Sequence, residues 1–315
     1  MIEINIGNNE MELIKPDTKI DFVGKMRKAI YISLVLIAIT FISIIIHKGP
    51  NWGVEFVGGT EVHFKFPKEI KLDELSSALA SIGYPLESVQ RLGLSSDNEY
   101  LIRFSPKVVS FEMIQEFQNK LKGILENNPM FHEGSVLRID YIGPQVGKEL
   151  IEKAIISIIL GWVGILLYLM IRFEFDFALG AVIALIHDVL ITLGAISLTD
   201  KEFTLTIVAA LLTVIGYSVN DTIVIFDRIR ENIKKVAKTG FRQLVNDSVN
   251  QTLSRTILTM LTVFLVLVAL FVLGGTVIHD FAFALIVGVV AGTYSSIFVA
   301  TAFVIYWRYR KGVLT

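Results

Sequence analysis

The sequence predicts an α-helical polytopic membrane protein of six spans, with one ferredoxin-like α+β domain of order βαββαβ between the first span and the second. Three observations carry that prediction. The chain is 53% hydrophobic with a mean hydropathy of +0.62. It holds six apolar runs of about the 20 residues a helix needs to cross hydrocarbon. Between Gly58 and Gly143 the pattern changes to short alternating segments.

Residues 1–28 form a polar leader, and span one runs from Ala29 to Ile46. The segment after it, His47-Lys48-Gly49-Pro50, has no small-residue cleavage site, so span one reads as an uncleaved anchor. Residues 47–149 form the α+β domain with its connections to the spans. Thr60 to Phe66 alternates as a strand, and Leu72 to Ile82 reads as a helix ending before Gly83. Leu86 to Leu92 and Glu99 to Phe104 read as two strands joined through Ser95-Ser96-Asp97-Asn98. A helix starts at Ser110, with Phe111, Ile114, Phe117, Leu121 and Leu125 at helical spacing, and Ser135 to Ile142 is the last strand. That order fits a ferredoxin-like sandwich, one sheet with two helices on a face. The domain offers no paired carboxylates, His cluster or phosphate loop with catalytic spacing, and His63 and His132 read as strand or surface histidines. Binding or movement suits it better than catalysis; no enzyme activity, cofactor or metal site is expected.

Spans two to six follow as Leu150 to Ile171, Phe177 to Leu198, Thr204 to Phe226, Thr256 to Leu273 and Phe281 to Tyr306, with a basic loop over 227–251 and a tail over 307–315. Short-loop basic residues set the orientation. Lys25, Arg27 and Lys28 precede span one, and Arg172 lies between spans two and three. Arg228, Arg230, Lys234, Lys235, Lys238 and Arg242 lie between spans four and five, and Arg308, Arg310 and Lys311 follow span six. The opposite turns carry only Lys201, so both termini are expected in the cytoplasm and the α+β domain on the exported side. The loop reads as an amphipathic helix on the lipid surface, punctuated by Ile229, Ile233 and Val236. A formal charge of -1 gives no support for nucleic-acid binding, and the lack of cysteine excludes disulfides and thiolate metal sites.

Asp221 is the most informative residue, because an acidic side chain at the centre of a span costs about 2.5 to 3.5 kcal/mol on insertion scales and usually marks a functional path. On a helical wheel, Thr206, Ala209, Ala210, Thr213, Gly216, Tyr217, Asn220 and Asp221 share one small and polar face of span four. Thr252, Arg255, Thr256, Thr259 and Thr262 form a matching stripe at the start of span five. If the stripes face each other, Arg255 is the counter-ion of Asp221, and proton uptake falls to Asp221 because a guanidinium stays charged. A plain helix-pinning ion pair is the competing reading. His187-Asp188 in span three is a second ionisable pair; neighbours in sequence do not face each other on a helix, so the two are expected to contact different helices. Gly288 and Gly292 in span six, with Gly161 and Gly164 in span two, read as packing positions. Gly58, Gly59, Gly143 and Gly147 flank the domain and read as hinges.

The run from Ala209 through Gly216-Tyr217-Ser218-Val219-Asn220-Asp221 to Asn232 resembles the fourth-span signature of the SecF branch of the SecD/SecF family of protein-export membrane proteins. The likeness extends to Gly53-Val54-Glu55-Phe56-Val57-Gly58-Gly59-Thr60, Gly143-Pro144-Gln145-Val146-Gly147, His187-Asp188 and Ser254-Arg255-Thr256. Many members carry Asp where this chain has Glu55. The resemblance implies an accessory subunit of the Sec translocon that works with SecD in a twelve-span assembly related to the resistance-nodulation-division transporters. It implies that exported-side domains capture emerging unfolded polypeptide, that the proton-motive force drives late steps of export, and that Asp221 and Arg255 form the proton-relay pair. Partners expected on that basis are SecD, the translocon channel, the translocating polypeptide and membrane lipids. Two other readings stay open at this point: a proton-coupled exporter of small molecules or lipids, and a translocon scaffold without transport.

Overall fold

The computed structural model describes residues 19–80, 83, 86–92, 98–105, 113–128, 131, 133–235 and 240–311. Ser110, Phe111, His132, Val236, Lys238 and the turn 95–97 lie outside them. Among the described residues, six helices are long and apolar enough to cross a membrane. They are α1 (Phe22–Ile46), α5 (Pro144–Arg172), α6 (Phe175–Leu198), α7 (Leu205–Lys235), α8 (Phe241–Leu273) and α9 (Gly275–Ser295), the last continuing through a π-helical turn (Ser296–Ala300) into α10 (Thr301–Arg310).

Between α1 and α5 lie α2 (Val54–Val57), β1 (Gly59–Lys65), α3 (Leu72–Ala80), β2 (Leu86–Leu92), β3 (Glu99–Phe104), α4 (Ile114–Asn127) and β4 (Ser135–Ile142). The sheet order is β2-β3-β1-β4 with every neighbouring pair antiparallel, so the split βαβ arrangement expected from the sequence is present. Alternation puts Val62, Phe64, Tyr100, Ile102 and Phe104 on one face, where they pack with Leu75 and Leu79 of α3 and Phe117 and Leu121 of α4. The other face carries Glu61, His63, Arg103, Arg138 and Asp140, as the register places them.

The domain is joined to the bundle by backbone as well as side chains. The Gly53 N–H donates to the Phe203 carbonyl at 2.9 Å, and the Phe203 N–H to the Asn51 carbonyl at 2.6 Å. The rings of Trp52, Phe56 and Phe203 close the same junction. Helix α2 lies on α5, and a Cβ on Gly147 would come within 3.0 Å of the Phe56 carbonyl oxygen. Gly58 and Gly59 hold φ of 78° and 127°, a left-handed region that favours glycine.

The amphipathic helix expected to lie along the lipid surface after Phe226 is not formed. Instead α7 runs on to Lys235 and α8 starts at Phe241, so the two spans extend beyond their apolar stretches and pack on each other. Ile229 is fully buried, and Asn232 Nδ2 donates to Ser248 Oγ (2.8 Å) and Gln251 Oε1 (2.9 Å). Charge density outweighed the apolar positions in the sequence reading; Ile229 packs inward, while Ile233 stays exposed. At the same end Asn246 Oδ1 accepts from the N–H groups of Phe22 and Val23, and Asn250 Oδ1 from that of Ile20, satisfying donors at the start of α1.

Candidate functional site

Helix α7 carries Asp221 into the centre of the bundle, where the residue is 2% exposed. It faces α9: Thr293 Oγ1 donates to Asp221 Oδ2 across a long 3.4 Å. Close approach of the two helices depends on glycine, since a Cβ on Gly292 would meet Ser218 Cβ at 2.9 Å and one on Gly288 would overlap Val214. One turn before Asp221, the Tyr217 hydroxyl lies against Thr259 of α8 without completing a hydrogen bond. The stripes of α7 and α8 therefore meet, and antiparallel packing puts Asp221 and Arg255 at one level.

The ion pair expected between those two residues is not made. No oxygen of Asp221 lies within 4.0 Å of the Arg255 guanidinium, which is exposed, while Asp221 is turned inward to α9. The wheel fixed the depth of each residue, but the rotation of α7 is set by the Gly288 and Gly292 contacts. Thr213, Gly216 and Asn220 are also exposed, as are Arg255 and Thr262 on α8, so a small and polar strip runs along the outside of two otherwise apolar helices. Thr213 returns its hydroxyl to the Ala209 carbonyl at 2.8 Å, and Thr259 does so to the carbonyls of Arg255 and Thr256.

His187 and Asp188 behave differently from expectation in one respect. They touch, with His187 Nδ1 2.9 Å from Asp188 Oδ1, and each also reaches other helices. Asp188, fully buried, accepts from Ser218 Oγ of α7 (2.5 Å) and Ser295 Oγ of α9 (2.8 Å). His187 Nε2 lies 3.1 Å from Ser33 Oγ of α1, and beside it the Tyr294 hydroxyl donates to the Ala29 carbonyl at 2.6 Å. With the proton on Nδ1, His187 donates to the Asp188 carboxylate, and Ser33 Oγ donates its own proton to the Tyr294 hydroxyl at 3.3 Å. Ser33, Ser218, Tyr294 and Ser295 were missed by sequence reasoning. The run Tyr294-Ser295-Ser296 inside an apolar span, followed at once by the π-helical turn, is the signal that marks them.

At the basic end, Arg308 reaches Asp176 (2.5 Å) and Glu174 (2.9 Å), and Arg172 pairs with Asp227 at 2.8 Å. These pairs tie α10 to α6 and α5 to α7.

The chain that carries this intramembrane carboxylate and the Gly-Gly turn at the start of β1 is similar to known proteins over nearly its whole length. Residues 124–310 match the family described as "Protein export membrane protein SecD/SecF, C-terminal", and residues 43–66 match the "SecD/SecF GG Motif". The chain belongs to the SecD/SecF family. It is 45% identical to a protein translocase subunit SecF from Calditerrivibrio nitroreducens, over 93% of this chain and 96% of that protein. A SecF subunit from Vibrio alginolyticus is 42% identical, over 92% and 90%. Among solved structures, SecDF from Thermus thermophilus, a translocon-associated membrane protein, superposes with a TM-score of 0.84 at 36% identity, covering 94% of this chain and 40% of the longer SecDF chain. A SecDF structure in a super-membrane-facing form gives 0.68 at the same identity and coverage, so the SecDF fold has been solved in arrangements that differ. As a SecD/SecF protein with six apolar helices, this chain is a multi-pass membrane protein.

Proposed function

We propose that this chain is an accessory subunit of the Sec protein translocase that, with a SecD partner, uses the proton-motive force to promote late steps of polypeptide export. Both termini lie in the cytoplasm and the α+β domain on the exported side, as the basic loops require. Asp221 is the proton-carrying group. The observation that carries this reading is its setting: a carboxyl 2% exposed, with one long hydrogen bond and, among the described residues, no cation within 4.0 Å. An ionised carboxylate there lacks compensation, so loading and unloading a proton changes the balance between helix arrangements. Arg255, level with it on the adjacent helix, supplies the counter-charge in the alternate arrangement, and His187 with Asp188 holds the surrounding helices in place.

The exposed strip of Thr213, Gly216, Asn220, Arg255 and Thr262 supports a SecD partner. Polar groups on a span gain from a protein cover, where hydrogen bonds and close backbone packing replace contact with lipid. Moving one charge through 100 mV is worth about 2.3 kcal/mol, enough to bias a domain equilibrium of similar size. The domain is carried on Gly58-Gly59 and on the Gly143 to Gly147 segment, which act as its hinges; it contacts the translocating polypeptide beside the translocon channel.

Gradient-driven export into inverted vesicles containing this chain and SecD tests the proposal, comparing wild type with Asp221→Asn at equal complex abundance. The expected result is loss of the gradient-dependent part. Full retention would leave scaffolding of the translocon as the better account.

A further inference from the structure

Where the α+β domain rests on the bundle, one guanidinium meets two carboxylates. Arg103, on the helix-free face of the sheet, is 5% exposed. Its Nη1 donates to the Trp52 carbonyl at 2.8 Å, while Nη2 lies 2.5 Å from Glu202 Oε2 and 3.6 Å from Glu61 Oε2. Glu61 is opposite Arg103 on β1, whereas Glu202 stands in the turn between α6 and α7. The Arg103–Glu202 contact therefore crosses from domain to bundle. Glu61 Oε2, Glu202 Oε1 and Arg103 Nε and Nη2 are buried and complete no hydrogen bond. Beside them opens a polar cleft of about 240 Å³ lined by Glu55, Arg138, Asp140 and Lys201 among others.

Two buried carboxylates around one cation leave a surplus negative charge, which a single proton removes. Burial pushes the carboxyls of Glu61 and Glu202 up to about 7, against the pull of Arg103. Glu55 on α2 raises both; at Glu61, Asp140 raises and Arg138 lowers, and at Glu202, Asp280 raises. Asp280 is itself engaged by Lys201 at 2.5 Å and His279 at 3.1 Å.

We propose that Glu61, Arg103 and Glu202 form a proton-operated clasp, closed when the two carboxyls share one proton and strained when both are ionised, that fixes the α+β domain to the turn between the third and fourth spans. The direction follows from linkage. Freed into water, each carboxyl returns toward its ordinary value of 4.5, so the closed form holds the proton more tightly than the open form. Falling pH from 7 toward 4.5 favours closure, and rising pH over the same window favours release, by at most about tenfold in the closed-to-open ratio per pH unit for one proton, with the ratio levelling off above about 7. The clasp operates whatever ion the spans carry.

The chain has no cysteine, so a spin-label pair can be introduced without other changes, through Leu137→Cys on β4 and Thr199→Cys on the turn, both exposed positions. Distances are then read on the full chain in nanodiscs, with no gradient, from about pH 6 to about pH 8.5. The expected result is a short distance at the acid end and a longer population that grows mainly between about pH 6 and about 7.5 and then levels off, with the closed-to-open ratio falling about tenfold across the range. Glu61→Gln and Glu202→Gln, which stand in for the protonated carboxyls, each hold the short distance at both ends. His63→Gln leaves the transition in place, because His63 is paired with Glu99 at 3.0 Å and not with the clasp. A distance independent of pH in wild type, or a pH response that survives in the Glu61→Gln and Glu202→Gln double variant, overturns the clasp.

Discussion

Asp188 and Asp221 both lie inside the helical bundle, at 0% and 2% exposure, on neighbouring helices. Asp188 meets three donors from three residues at 2.5 to 2.9 Å, and through them α6 is tied to α7 and α9, while His187 carries the network on to α1. Asp221 meets a single hydroxyl at 3.4 Å. Burial alone therefore does not make a proton site. A carboxylate with both oxygens engaged by several donors works as a tie between helices, and one left short of partners has less to hold it in a single protonation state.

Breaking the better-bonded site should cost most. Asp188→Leu leaves His187 and two serine hydroxyls without their acceptor, and a loss of about 3 kcal/mol is expected in detergent unfolding of the purified chain. Asp221→Asn should cost under about 0.5 kcal/mol in the same assay while removing gradient-driven export, since one long hydrogen bond contributes little. Equal destabilisation by the two substitutions would erase the distinction. Ser218→Ala sharpens it from the side of the donors: one lost hydrogen bond to Asp188 should lower stability by about 1 kcal/mol. The smallest effect is expected for Thr293→Val, within about 0.5 kcal/mol in stability, with any change appearing in the pH dependence of export.

The six spans and the βαββαβ order were legible because each follows from a period in the sequence: long apolar runs, alternation in β1 and β3, and the helical spacing of Phe117, Leu121 and Leu125. Asp221 was legible for the same reason, as a charge interrupting such a run. What periodicity does not encode is rotation between packed helices. Asp221 and Arg255 share a level, yet Gly288 and Gly292 draw α7 onto α9 and turn the carboxyl away from α8. Ser218 and Ser295 passed as small residues in apolar stretches, because their role depends on a carboxylate from another helix. Arg103 and Glu202 were similarly hidden. Arg103 lies on the face of β3 away from the helices, and nothing local in the sequence shows that this face is covered by the bundle. His187 and Asp188, although sequence neighbours on a helix, still touch, with Nδ1 2.9 Å from Oδ1.

The asparagine caps on α1 bear on how the molecule is built. Ile20 and Phe22 find their acceptors in Asn250 and Asn246, more than two hundred residues downstream. During synthesis α1 must therefore wait, its leading N–H groups hydrated at the membrane surface, until the start of α8 has been made. Helix α1 is made early and capped late, and a chain truncated before Asn246 leaves the N–H groups of Ile20, Phe22 and Val23 without their asparagine acceptors.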